Sequence, residues 1–260
     1  YTLSGTASSN DFRVKVGDRL VTTLTIDNLT INTYRDEKEN EAKQGYSPLD
    51  FSDAGATTLI LVGKNHLTAR AQNPAVFAPK VEKDDDLAVQ LTIGGEGSLV
   101  ATGGYAWPGI GNTGSAKIRI EGGDITAQGG YAAAGIGGSW GFWFDSIVIT
   151  GGCVVATGGA WANNDIGCGY AQGGIKTITI SGGTVNATGG SAGIGGGAYQ
   201  GAGVILIDGG VVEAERIYED TNENTLKKTG GILVQNGEYT VLGDTKLTTN
   251  LTIPKGKTLT

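Results

Sequence analysis

The chain has 260 residues and a formal net charge of −7, with 19 Lys and Arg against 26 Asp and Glu, and no basic cluster; nucleic acid and anionic membrane surfaces are therefore not expected partners. Glycine is abundant (46) while proline is scarce (5), which excludes collagen and Pro/Gly-rich disorder, and the 39% apolar content is enough for a core. No apolar run reaches about 18 residues and no basic-then-apolar leader precedes Tyr1, so neither membrane insertion nor a retained signal peptide is expected, and the chain reads as a fragment of a larger protein.

In chain order, the first apolar run is Leu24-Thr25-Ile26-Asp27-Asn28. A charged insertion follows over 33–48, then a second run, Leu59-Ile60-Leu61-Val62-Gly63, and a second insertion over 80–87 that contains Asp84-Asp85-Asp86. Both insertions read as projecting surface loops. Four segments then align closely: Leu91-Thr92-Ile93-Gly94-Gly95, Ile118-Arg119-Ile120-Glu121-Gly122-Gly123, Ile147-Val148-Ile149-Thr150-Gly151-Gly152 and Ile178-Thr179-Ile180-Ser181-Gly182-Gly183. Each leads to an Ala-(Thr/Gln)-Gly-Gly and then to an Ile-Gly pair, at Ile110-Gly111, Ile136-Gly137, Ile166-Gly167 and Ile194-Gly195. Weaker copies end the series at Ile205-Leu206-Ile207 and Ile232-Leu233-Val234.

Self-similarity at this period signals a solenoid. Anchored on Ile26, Leu61, Ile93, Ile120, Ile149, Ile180, Ile207 and Val234, it implies about eight coils. Period-two alternation makes each coil a strand, turn, strand, turn, strand unit, and the Gly-Gly pairs supply positive φ at the corners. With no helical stretch to act as a crossover, like strands pair in parallel only if the chain coils on itself. The expected fold is thus all-β, a single-stranded parallel β-helix occupying 1–260 as one domain, right-handed by the rule for parallel connections. Alternation places Cys153 outward, in line with Asp124 and Thr184, and Cys168 inward, so two free thiols are expected rather than a disulfide.

The motif Ile-Thr-Ile-Ser-Gly-Gly-Thr-Val-Asn-Ala-Thr-Gly-Gly over 178–190, followed by Ala192-Gly193-Ile194-Gly195-Gly196-Gly197, resembles the Gly-rich repeat region of secreted or wall-attached Firmicutes β-helix proteins. The resemblance implies an extracellular, secreted or cell-wall-attached protein of carbohydrate-binding or adhesin-like character. It also implies a superfold shared with pectate lyases. No catalytic motif carries over from it.

Gly109-Ile110-Gly111-Asn112-Thr113-Gly114 satisfies a dinucleotide-type spacing, but no helix follows to hold a pyrophosphate. His66 is the only histidine, which excludes a histidine metal cluster, and it reads as a surface residue on a strand. Arg119 and Lys176 read as outward and isolated, so a lyase or hydrolase rests on fold analogy alone. No cofactor is expected; Ca²⁺ on outward carboxylates is the one ion with candidate ligands, although Asp84-Asp85-Asp86 lacks an EF-hand spacing.

Aromatic residues carry the positive signal. Tyr105, Trp107, Tyr131 and Trp161 follow the second Gly-Gly of three consecutive coils, and Trp140, Phe142, Trp143, Phe144 and Tyr170 fall in the next loops. Stacking of the coils would bring the first set into a lateral column. Sugars lay their C–H faces on such rings while amides and carboxylates serve the hydroxyls. Candidate ligand-binding residues are therefore Tyr105, Trp107, Tyr131, Trp140, Trp143, Trp161, Asn163, Asp165 and Tyr170, with Asn112, Gln128, Asn164 and Gln172 as further polar candidates. The expected function is a non-catalytic surface module that binds a polysaccharide or a host or cell-wall glycan. The alternatives are a polysaccharide lyase or hydrolase, and a structural spacer in contact with neighbouring domains.

Overall fold

Runs such as Ile118-Arg119-Ile120 alternate apolar and polar β-formers, and their recurrence pairs each run with its own copy one repeat away. The structure, a computed structural model, describes residues 1–8, 12–33, 45–70, 72–82, 90–162, 164–170, 173–189, 193–196, 202–217, 226–245 and 251–260. Among these residues there are strands and turns and no helix.

The first strands are β1 (Thr2–Ser8), β2 (Val14–Lys15), β3 (Thr22–Asn32), β4 (Leu49–Asp50), β5 (Thr57–Val62), β6 (Lys64–Thr68) and β7 (Val76–Phe77). The regular repeats supply β8 (Leu91–Gly95), β9 (Ser98–Thr102), β10 (Ile110–Asn112), β11 (Lys117–Ile120), β12 (Asp124–Gln128), β13 (Ile136–Gly138), β14 (Phe144–Ile149), β15 (Cys153–Thr157) and β16 (Ile166–Gly167). Last come β17 (Ile175–Ala187), β18 (Ile194–Gly195), β19 (Ala202–Ala214), β20 (Leu226–Gln235) and β21 (Glu238–Leu242).

Fourteen strands form one sheet and seven a second. The larger sheet covers two faces because some strands turn a corner in mid-course. β3, for instance, pairs with β5 through Thr22–Asp27 and with β6 through Thr30–Asn32. Successive repeats pair in parallel, Ile120 beside Ile149 and Ile149 beside Ile180 on the first face, and Ala127 beside Ala156 on the second. On the third face Val14, Leu49, Val76, Ile110, Ile136, Ile166 and Ile194 lie in one register. Among the described strands, β21 is the one that folds back antiparallel, onto β20. The chain is a parallel β-helix whose inward aliphatic residues form one continuous core.

Two kinds of glycine shape the corners. At the first corner the second glycine takes positive φ, as at Gly123 (φ 88°), Gly152 (82°) and Gly183 (76°), and Asn28 does the same work at φ 51° in β3. At the second corner the reason is close approach rather than φ. A Cβ on Gly130 would fall on the carbonyl oxygen of Gly104, and one on Gly159 on that of Gly130.

The register departs from the expected anchors at both ends of the series. Leu59, not Leu61, lies opposite Ile93, and Leu61 lies opposite Gly95, a slip of one side-chain pair that keeps the same residues inward. Val234 lies opposite Glu213 on the second face, while Leu226–Lys228 takes the first. The insertions are also shorter than read. Thr33, Ser47, Pro48 and Val81 are buried, with Thr33 N donating to Thr68 O and Val81 N to Ser115 O, so the coil absorbs the ends of both segments. The rest of each insertion, including Asp84-Asp85-Asp86, lies outside the described residues.

Cys153 is exposed and in register with Asp124 and Thr184, Cys168 is buried, and both are free. Burial pushes the Cys168 thiol up to about 12, and its Sγ donates to Gly174 O at 2.8 Å.

Candidate aromatic ligand-binding flank

The rings sit on a turn that recurs coil by coil. Trp107 N donates to Gly104 O, Ala133 N to Gly130 O and Ala162 N to Gly159 O, closing four-residue turns at 3.0, 3.1 and 2.8 Å. Tyr105 and Tyr131 occupy the second position of their turns, Trp161 the third. Bonds between coils fix the turns relative to one another, with Gly130 N donating to Trp107 O and Trp161 N to Tyr131 O, both at 2.7 Å.

That shared geometry stacks the side chains. Tyr105 and Tyr131 lie with centroids 5.4 Å apart and planes 8° apart, and Tyr131 and Trp161 follow at 5.6 Å and 28°. The larger angle at Trp161 matches its different position in the turn. Tyr170 meets Trp161 edge-on at 6.0 Å, and Trp140 meets Tyr170 edge-on at 6.0 Å. The loop carrying Trp140 is held to the next coil by Gly141 N donating to Tyr170 O at 3.0 Å. Five of the candidate rings thus form one chain of contacts, and Tyr105, Trp140 and Trp161 keep half or more of their surface exposed (58%, 50% and 56%).

Other candidates stand elsewhere. Trp107 is not in the column; it ends its turn, is half-buried, and packs edge-on against Phe77 of the preceding coil at 5.4 Å. Trp143 and Phe142 are exposed beside the ladder, Trp143 lying over Gly174, where a Cβ would meet its ring. Phe144 begins β14 and belongs to the core.

Asp165 is fully buried, so it does not face the flank. Its Oδ1 accepts from Gly158 N at 2.6 Å and its Oδ2 from Gly189 N at 3.0 Å. Asn164 is also fully buried and donates to Cys168 O and Gly196 O, and the buried Asn112 donates to Ala78 O. These three bond backbone groups of their own and adjacent coils, which is why polar residues are tolerated inside, and among their side-chain atoms Asn164 Oδ1 is buried without a partner. Asn163 and Gln172 lie outside the described residues.

Of the polar candidates Gln128 is exposed, and the structure adds Thr102 and Thr157, which the sequence reading did not name, to form one column with it. Thr102, Gln128 and Thr157 pair in register at the end of the second face, two glycines before each ring turn. The signal was present, since each stands at the outward step of its strand immediately before Gly-Gly.

Charged groups gather away from the ladder and are not isolated. Arg119 Nε meets Glu121 Oε1 at 2.6 Å, and Lys176 and Lys117 flank Asp145 at 3.2 and 3.8 Å. His66 is exposed on β6 between Thr30 and Val100. Among the described residues, His, Cys, Asp and Glu form no group of three or more placed to hold a metal ion.

A family described as beta helix repeat matches residues 118–140 and 178–198. These segments cover β11 from Ile118 through β13, and β17 from Ile178 with β18, so two of the regular coils carry beta helix repeats. A search of the curated proteins and of the solved structures gave no match.

Proposed function

We propose that this β-helix repeat protein is a non-catalytic binding module that holds carbohydrate on the flank running from Tyr105 to Tyr170. The observation that supports the reading is the run of contacts Tyr105, Tyr131, Trp161, Tyr170, Trp140, which keeps large apolar rings partly in water over several coils. Exposed apolar patches of this kind mark interaction sites, and amphipathic rings beside uncharged polar residues suit sugars, which are apolar on their faces and polar at their rims. Its setting in this reading is extracellular, on a secreted or wall-attached protein whose other domains the solenoid adjoins.

The test is glycan binding by wild type and by Trp161→Ala and Trp140→Ala on a broad glycan array. Ring-dependent loss of signal supports the reading; binding that ignores both substitutions, or an array with no bound glycan, overturns it. One observation favours a second reading, a structural spacer: within the column each ring covers its neighbour's face, so the rings brace the coils as well as facing solvent.

A further inference from the structure

We infer that the ligand of this flank is a neutral, linear polysaccharide lying parallel to the solenoid axis, one sugar per coil. This inference rests on the carbohydrate reading above and deepens it.

The first ground is the direction of the stack. Tyr105, Tyr131 and Trp161 succeed one another along the coil axis at 5.4 and 5.6 Å, close to the roughly 4.8 Å rise of paired strands. Because both faces of Tyr131 are covered, by Tyr105 and by Trp161, the column offers a continuous strip of ring rims and not a set of separate platforms. A ligand that uses all three rings has to run along the strip.

The second ground is the corner beside it. Gly130 and Gly159 are half-buried and lie between the ring turns and the outward column Thr102, Gln128, Thr157. No side chain can grow from either glycine, since a Cβ would strike the carbonyl oxygen of the preceding coil. The glycines keep the coils in close contact at this corner, so the ring turns on one side of it and the two hydroxyls and an amide on the other repeat at the same pitch. An extended β-1,4-linked pyranose chain advances by about one ring per coil and turns alternate sugars over, so the ring rims and the polar column meet opposite edges of successive sugars.

The third ground is charge. The six side chains of the two columns, Tyr105, Tyr131, Trp161, Thr102, Gln128 and Thr157, are all uncharged at neutral pH, and the whole chain is net negative at −7. A polyanion gains nothing there and is repelled at longer range.

The experiment titrates the protein with cello-, xylo- and manno-oligosaccharides of two to six units, following tryptophan fluorescence, with oligouronates of equal length alongside. Expected is an affinity that climbs with each added unit to about three, one per rung, and then flattens in one neutral series. Tyr131→Ala, which removes the middle rung that every two-sugar placement also touches, lowers hexamer affinity about tenfold and flattens the dependence on length, and Gln128→Ala costs about threefold. Tyr131→Phe, which preserves the stack, keeps the length dependence and guards against misfolding as the cause. A hexamer bound no tighter than a dimer, no binding in any neutral series, or preference for the oligouronates overturns the inference. Length-independent binding that still needs Trp161 overturns it alone, whereas glycan binding indifferent to every ring overturns the carbohydrate reading with it.

Discussion

Two columns of side chains follow the same coil-to-coil step on opposite sides of the wall. Inside, Ile120, Ile149 and Ile180 touch their copies above and below and are fully buried; outside, Tyr105, Tyr131 and Trp161 do the same while 38–58% of each stays exposed. The repeat therefore stacks whatever it is given, and what differs is how much water each column displaces. Inner positions are held to one chemistry by close packing. Outer positions are free to carry a different chemistry on the same lattice, which is how a uniform solenoid acquires a local site.

The largest expected effect lies in the inner column. Ile149→Ala should cost about 2–5 kcal/mol, because both adjacent coils hold the cavity open and it cannot collapse. Denaturant unfolding measures it, and a cost below about 1 kcal/mol would mean that the coils are not packed in one register. Next comes Asp165→Ala, expected at about 1–3 kcal/mol, because the buried Gly158 N loses its acceptor and the more exposed Gly189 N loses its bond to the preceding coil. Trp161 follows Gly158 by three residues, so this variant should also loosen the outer column, seen as a red shift of tryptophan emission.

The inner column was the readable part of the molecule. Period-two alternation and the Gly-Gly spacing place Ile120, Ile149 and Ile180 in one stack from the amino-acid string alone, and they place Cys153 outward and Cys168 inward. The slip at Leu59 and the displacement of Val234 were hidden, because an aliphatic run such as Leu59-Ile60-Leu61 fits two registers equally well and the neighbouring strand decides between them. At the flank, spacing after Gly-Gly was enough to gather Tyr105, Tyr131 and Trp161. It misplaced Trp107, since four residues of one turn share the spacing signal and only the turn's closing hydrogen bond tells its second position from its last. Asp165 and Asn164 were misread for a general reason: a polar residue that satisfies buried backbone looks, in sequence, the same as one that waits for a ligand.

Cys168 sharpens the contrast through pH. Its thiol is raised from 9.0 to about 12 by burial, so above pH 9 the unfolded chain releases a proton that the folded chain keeps. Stability from this group is complete below about pH 9 and declines as pH rises toward 12, on the order of 1 kcal/mol per pH unit. Comparing wild type with Cys168→Ala across that window isolates the contribution, and identical slopes would refute it. Under native conditions a thiol reagent should titrate the exposed Cys153 and spare Cys168 until the protein unfolds.

The smallest effect separates bracing from binding in the outer column. Tyr131 and Trp161 stack at 5.6 Å while partly in water, a geometry worth about 0.5–1.5 kcal/mol beyond burial. A double-mutant cycle with Tyr131→Ala and Trp161→Ala, read by unfolding, should return a coupling in that range, because the two rings share an interface and neither replacement introduces a new one. The same four proteins, read by glycan titration, give a second coupling. If the rings serve only to brace the coils, the stability coupling is present and the four proteins show no ring-dependent glycan binding. If a sugar chain spans both rungs, each single variant already breaks the strip, so the two losses in affinity are far from additive and the binding coupling exceeds the stability coupling.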